Sequence, residues 1–303
     1  MGCGSWSSND WKSYSSSRIS GRSTSEIYSS KNLKTEYNPK GVKVRESRDN
    51  PEHPESTPII IGLDVTGSMS RILNITAQKL GDMVKEILDR RPVSDPQILF
   101  SAIGDSTCDS APLQITQFES DIRIASQLTE LWFEMGGGGN NFESYPLSWY
   151  FASNHTSTDA WEKRGKKGFL FTMGDDCFPE KLTVEEIKRI FDDDISEDIS
   201  VEALYAQVCR KYEVFHLMLE DGGSARRMKP EKWRELMGER AVSVSSCECI
   251  PEIIVSLIET TCGRDAEEVI SSWDKSTQIA VRNAVGTLQT QKKKGFFSKF
   301  IKF

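Results

Sequence analysis

The chain has 303 residues, of which 37% are hydrophobic and 27% charged, and a formal net charge of −7. That length suits one large domain with extensions or two small ones, and a mean hydropathy of −0.45 leaves much of it polar. No apolar run approaches the about eighteen residues of a membrane-spanning helix, and the first ten residues lack the apolar block of a secretory signal.

Residues 1–56 hold nine Lys/Arg against seven Asp/Glu, and 12 of the first 30 residues are Ser. No helix or strand period survives there, so the segment reads as a disordered arm. Its interleaved aromatics Trp6, Trp11, Tyr14, Tyr28 and Tyr37 offer a second reading, a strap docked on the body or on a partner. Prolines 51, 54 and 58 make the hinge into the folded part. Next, Ile59-Ile60-Ile61-Gly62-Leu63 is a continuous apolar run ending at Asp64, the pattern of a buried parallel strand. Beyond a loop at 65–70, Ile72, Ile75, Met83, Val84, Ile87 and Leu88 mark one face of a helix closed by Arg90-Arg91-Pro92.

A strand at 97–103 ends on Gly104-Asp105, and 113–118 predicts a third strand as its hairpin partner. Ser120 is placed to cap a helix reaching about 131. Four glycines at 136–139 and Asn140-Asn141 precede a helix through Leu147, Tyr150 and Phe151. The strand at 168–173 ends in Gly174-Asp175-Asp176, and Thr183-Val184-Glu185-Glu186 is a capping box opening a helix. Val201, Leu204, Tyr205, Val208, Cys209 and Tyr212 predict a further helix, followed by a strand at 214–219. A short helix at 230–237, a last strand at 241–245 and a helix at 250–261 complete the body, and 265–290 read as one or two more helices.

Strands alternating with helices predict an α/β fold: an open, mostly parallel, doubly wound, Rossmann-like sheet with helices on both faces. It spans 57–262, between an N-terminal arm at 1–56 and a C-terminal helix with a Lys/Phe-rich tail at 263–303. Charge divides along the same lines. The arm is +2, the tail +4, and the body, with 21 Lys/Arg against 34 Asp/Glu, is −13. Such a body repels phosphate backbones, so no nucleic-acid partner is expected, and it suits divalent cations. The last twelve residues carry five Lys, four Phe and no acid. They read either as a frayed terminus or as a weak, salt-sensitive contact with an anionic membrane or a partner.

In folds of this kind ligands bind beyond the carboxyl ends of the strands, where the strand order reverses. Asp64, Thr66 and Ser68 follow the first strand without a gap, and their side-chain oxygens can converge from a tight loop. One carboxylate and two hydroxyls make a hard, oxygen-only set suited to Mg²⁺ or Mn²⁺ rather than zinc. Cys247-Glu248-Cys249 is an isolated pair, and His53, His155 and His216 are scattered, so these read as structural or solvated. Seven cysteines without a framework spacing suit a reducing compartment, and the cytoplasm is the expected location.

The run Ile-Ile-Ile-Gly-Leu-Asp-Val-Thr-Gly-Ser-Met at 59–69 resembles the first strand and metal-ion-dependent adhesion site (MIDAS) of the von Willebrand factor A (vWA) domain family. That signature continues with a Thr in a Gly-rich loop and an Asp after a later strand, and the resemblance covers about 57–262. It implies that Asp64, Thr66, Ser68, Asn141 and Asp175 hold Mg²⁺ (or Mn²⁺), with an Asn where the family has Thr. Asn140 and Asp176 are the neighbouring alternatives, and Glu143 and Ser144 either stand behind the ligands or cap the next helix. The implied function is a non-catalytic, metal-dependent protein-binding module, an adaptor or scaffold whose cation is completed by a partner's carboxylate. Intracellular members of the family work beside MoxR-type AAA+ ATPases, which makes such a system a candidate partner.

Asp-x-Thr-Gly-Ser after an apolar strand also resembles the loop of haloacid-dehalogenase-type phosphatases, in which Asp64 would be the nucleophile. Thr66 stands where the soluble phosphatases carry a second Asp, the later Gly-Asp-x-x-x-Asp motif is missing, and the Gly-Asn loop has no role there. A third reading is a structural α/β scaffold in which Asp64, Thr66 and Ser68 only cap the following helix.

Overall fold

The computed structural model describes residues 4–134, 142–220 and 228–298, except for the side chains of Ser68, Ser70 and Thr287 and those from Gln289 onward. Asn140, Asn141 and the four loop glycines therefore lie outside the described residues, as do the side chains of the Lys/Phe tail.

Six strands form one sheet: β1 (Thr57–Asp64), β2 (Pro96–Ile103), β3 (Leu113–Ile115), β4 (Gly168–Gly174), β5 (Tyr212–Leu219) and β6 (Ala241–Val244). Their spatial order is β6-β5-β4-β1-β2-β3, and every pair is parallel except β2 with β3. Helices α1 (Ser8–Arg18), α2 (Ser70–Arg90) and α3 (Arg123–Thr129) lie on one face. On the other are α4 (Tyr145–Asn154), α5 (Val184–Phe191), α6 (Val201–Val208) and α7 (Pro230–Met237). The chain then returns to the first face with α8 (Ile250–Thr261), α9 (Ala266–Ser271) and α10 (Lys275–Ser298). The fold is the α/β, mostly parallel, doubly wound sheet that the strand–helix alternation predicts.

The apolar strands follow from this layering. In β1, Ile59, Ile61 and Leu63 join the core under α2 and α8, whereas Ile60 joins the core under α4. In β4, Phe169, Phe171 and Met173 point one way and Leu170 the other. A strand covered on both faces favours apolar residues at nearly every position, so its sequence shows a run and not an alternation. No helix among the described residues is long and apolar enough to cross a membrane.

Several elements differ from the sequence expectation. The third strand stops at Ile115, and α3 begins at Arg123, whose N–H donates to Asp121 Oδ1 at 2.9 Å. Ser120 does not cap that helix; its hydroxyl donates to the Gly4 carbonyl instead. The helix predicted through Tyr212 ends at Val208. Tyr212 opens β5 beside Gly168, with its hydroxyl 2.8 Å from Thr156 Oγ1, so a buried ladder position overrides the helical spacing. After Trp273 the chain breaks because the Asp274 carboxylate accepts from the N–H groups of Ser276 and Thr277 at 2.9 and 3.1 Å, capping α10.

The described residues of the Ser-rich segment are docked on the body. Ile19 is fully buried, and Ile27, Tyr28 and Tyr37 nearly so. Tyr28 donates to the Leu73 carbonyl at 3.1 Å, Tyr37 donates to Glu130 Oε2 at 2.5 Å, and Tyr14 Oη is 2.6 Å from Thr129 Oγ1. The Trp11 indole packs so close to Gly81 that a Cβ there would lie 1.9 Å from it. Residues 45–47 pair in parallel with 156–158. The strap is therefore held by scattered aromatic anchors. Helix α1 has no fully buried residue, which is why no apolar period announces it.

Candidate functional site

From β1 the chain passes through α2 to β2 on one side of β1, and later returns to β4 on the other side. The strand order thus reverses between β1 and β4, and the crevice beyond their carboxyl ends is the expected binding position. Leu63 stands beside Met173 in the ladder, so Asp64 reaches the end of the sheet alongside Gly174, with Asp175 directly after it. Both carboxylates are fully buried.

The local turn fixes Asp64. Thr66 donates twice to Asp64 Oδ1, from its N–H at 2.9 Å and from Oγ1 at 2.7 Å. This is an Asx-type turn that leads through Gly67–Met69 into α2. Ser68 lies within that turn, and its side chain lies outside the described residues. The other carboxylate oxygen, Oδ2, accepts from the Tyr145 hydroxyl at 2.8 Å.

Tyr145 is the first residue of α4 and is fully buried. Its ring packs edge-on against His216 and Trp233, at centroid distances of 4.8 and 5.5 Å. His216 in turn stacks on Trp233 at 3.5 Å, with Nδ1 2.9 Å from Thr172 Oγ1. Burial holds the His216 imidazole well below its usual value, so it is neutral. Trp233 donates to the Asp176 carbonyl at 3.1 Å, tying α7 to the loop that carries Asp175. Glycine is required at 174, where a Cβ would lie 1.9 Å from Tyr145 Oη and 2.7 Å from Asp64 Oδ2.

The carboxylates press on one another. Burial pushes the Asp64 carboxyl up to about 7 against the two bonds from Thr66, and the Asp175 charge adds to the rise. Glu143 goes further, to about 10, through burial first and then the charges of Asp64, Asp105, Asp176 and Asp109. Its Oε2 is buried and accepts no hydrogen bond among the described residues. Ser144 is the residue before α4, but its hydroxyl accepts from the Ser106 N–H at 2.9 Å and does not cap the helix.

The sequence reading missed the loop after β2. Thr107 donates to Asp105 Oδ1 from N–H at 2.8 Å and from Oγ1 at 2.7 Å, repeating the Asp64–Thr66 arrangement on the neighbouring strand. Asp109 Oδ2 accepts from the Asp105 N–H at 2.7 Å. The signal was present, since Asp105-Ser106-Thr107 is a second Asp-x-Thr at the end of an apolar strand. Nothing in the sequence marked Tyr145, His216 or Trp233, which lie far apart along the chain and meet only through the sheet.

Of the residues predicted for the site, Asp64, Thr66 and Asp175 come together, and Asp176 follows at the loop, where its charge bears on Glu143. Asn140 and Asn141 lie outside the described residues. The oxygens that meet are hard donors of the kind a divalent cation takes, with Asp64 Oδ1 and Thr66 Oγ1 standing 2.7 Å apart as hydrogen-bond partners. No group of three or more His, Cys, Asp or Glu among the described residues is arranged to hold a metal. A cation here would thus depend on hydroxyl and amide oxygens beside two carboxylates.

No protein-family model matches the chain, and no curated protein matches it. Among solved structures it is similar to proximal thread matrix protein 1 from the mussel byssus, in a structure with a zinc-occupied MIDAS motif. That similarity has 11% identity and a TM-score of 0.44, over 67% of this chain and 48% of the other. It is also similar to the pilus adhesin SpaC from Lactobacillus rhamnosus GG in an open conformation, at 10% identity and TM-score 0.43, over 75% of this chain and 31% of that one. The chain spans about half the length of the first and about a third of the second.

Proposed function

We propose that the crevice between β1 and β4 is a divalent-cation site, and that the chain is a non-catalytic module binding an acid-bearing protein through that cation. The observation that carries the reading is the pairing of two fully buried carboxylates, Asp64 and Asp175, at the strand-order reversal, with the Thr66 hydroxyl 2.7 Å from Asp64 Oδ1. Burial first, and the Asp175 charge after it, lift the Asp64 carboxyl to about 7, the cost of keeping negative charge in a dry crevice. A bound Mg²⁺ or Mn²⁺ would supply the missing positive charge and make an acidic face attractive to a partner carboxylate.

Within that scheme Asp64 and Thr66 hold the cation from the first loop and Asp175 from the loop after β4. Ser68 and Asn141 complete the set that the vWA resemblance implies. Hard oxygen donors favour Mg²⁺ or Mn²⁺ over softer metals. The test is thermal unfolding in Mg²⁺, in Mn²⁺ and in EDTA, for wild type and Asp64→Ala, with pull-downs under the same conditions. The expected result is a cation-dependent rise in unfolding temperature, absent in the variant, and a partner retained only by wild type with metal. A wild type indifferent to all three conditions defeats the metal site, and a partner held equally in every arm defeats its role in binding.

A further inference from the structure

We infer that Tyr145 is a positioning residue for Asp64, its hydroxyl fixing the carboxylate so that Oδ1, with the Thr66 hydroxyl beside it, faces the cation. The inference rests on the metal-site reading above. A carboxylate that binds a cation through one oxygen leaves the other to be oriented by a neighbouring donor, and such donors govern affinity as well as geometry. Here the division is already made: Thr66 sits on Oδ1, and the Tyr145 hydroxyl sits on Oδ2 at 2.8 Å.

Three features show a built contact. Tyr145 is fully buried, and its ring is fixed edge-on against His216 and Trp233. The backbone at Gly174 comes so close that a single added carbon would strike both Tyr145 Oη and Asp64 Oδ2. Tyr145 also opens α4, which follows the Gly-Asn loop, while Trp233 in the same stack donates to the Asp176 carbonyl. One hydroxyl thereby links the first loop to the helix after the second, and one aromatic stack links both to the third. Phenylalanine at 145 would fill the same space and lose only the hydrogen bond.

The experiment uses the full chain with Mn²⁺ alone as probe, its binding followed by electron paramagnetic resonance and thermal unfolding in EDTA recorded in parallel. Tyr145→Phe is expected to weaken Mn²⁺ binding by about 10- to 100-fold and to alter the spectrum of the bound ion, with little change of unfolding temperature in EDTA. A purely structural tyrosine would lower that temperature and leave the affinity alone. His216→Leu loosens the packing that holds the Tyr145 ring edge-on from a residue not bonded to Asp64, and should weaken binding in the same direction; it decides the matter if Tyr145→Phe does not fold. Wild-type affinity in either folded variant overturns the inference. A wild type that binds no Mn²⁺ fails at the earlier step, so the metal reading falls, whereas binding abolished by Asp64→Ala and untouched by Tyr145→Phe removes the positioning role alone.

Discussion

Replacing Glu143 by Gln tests the electrostatics of the crevice without any cation. Glu143 is 5% exposed, and burial together with the surrounding aspartates lifts its carboxyl from the usual 4.5 to about 10. An acid raised in this way keeps its proton in the folded chain, whereas the unfolded chain gives it up once the pH passes the usual value. Stability therefore falls as pH rises between those two values, by about 1.4 kcal/mol per pH unit for the one retained proton. Between about pH 5.5 and about pH 7.5 that amounts to roughly 3 kcal/mol, on the order of 5–10 °C in unfolding temperature. Asp64, raised to about 7, adds a loss of the same sign that is complete near neutrality. Gln has the same shape and no proton to lose. Glu143→Gln should thus show a shallower decline than wild type and be the more stable protein at the upper end of the window. The assay is thermal or urea unfolding in EDTA at half-unit pH steps. Parallel curves for the two proteins, or a wild-type stability that rises across the window, would refute the reasoning.

Two further substitutions probe the frame around the site. Gly81→Ala places a carbon 1.9 Å from the Trp11 indole, so the first helix must lift. We expect a loss of about 1–3 kcal/mol and faster proteolytic cleavage ahead of residue 56, with a wild-type digestion pattern as the contrary result. Thr183→Ala removes the hydroxyl that accepts from the Glu186 N–H at 3.2 Å and should cost about 1 kcal/mol in urea unfolding. Because Glu186 Oε1 also accepts from Ser106 Oγ at 2.5 Å, hydrogen exchange in the loop after β2 should quicken as well.

The sheet was legible because covered strands are apolar almost throughout, and Ile59–Leu63, Leu99–Ile103 and Phe169–Met173 are short runs, broken in the last two only by Ser101 and Thr172, followed by Asp or Gly. The loop after the first strand was legible because strand, turn and helix are contiguous at 59–72. What escaped depends on contacts distant in sequence. Tyr145 touches Asp64 from 81 residues away, and no local pattern encodes that meeting. The Ser-rich segment was legible only as one of two readings, a strap beside a disordered arm, because its anchors are single aromatics placed to meet particular side chains and backbone carbonyls. Composition averages such anchors away. Tyr212 was misassigned because helical spacing continued past Val208, while the ladder with β4 claimed the residue for the sheet.

The docked N-terminal segment also sets an order on synthesis. Its partners are all downstream: Tyr28 waits for Leu73, Tyr37 for Glu130, and Tyr14 for Thr129, separations of 45, 93 and 115 residues. The short strand at 45–47 cannot pair until 156–158 has been made. The segment therefore cannot take its place until residues up to 158 have been made, the strands β1, β2 and β3 among them. Closing such long loops costs little more than closing short ones, but it comes late. A composition rich in serine and in charges of both signs keeps the waiting segment solvated and out of other chains' sheets until its seat exists.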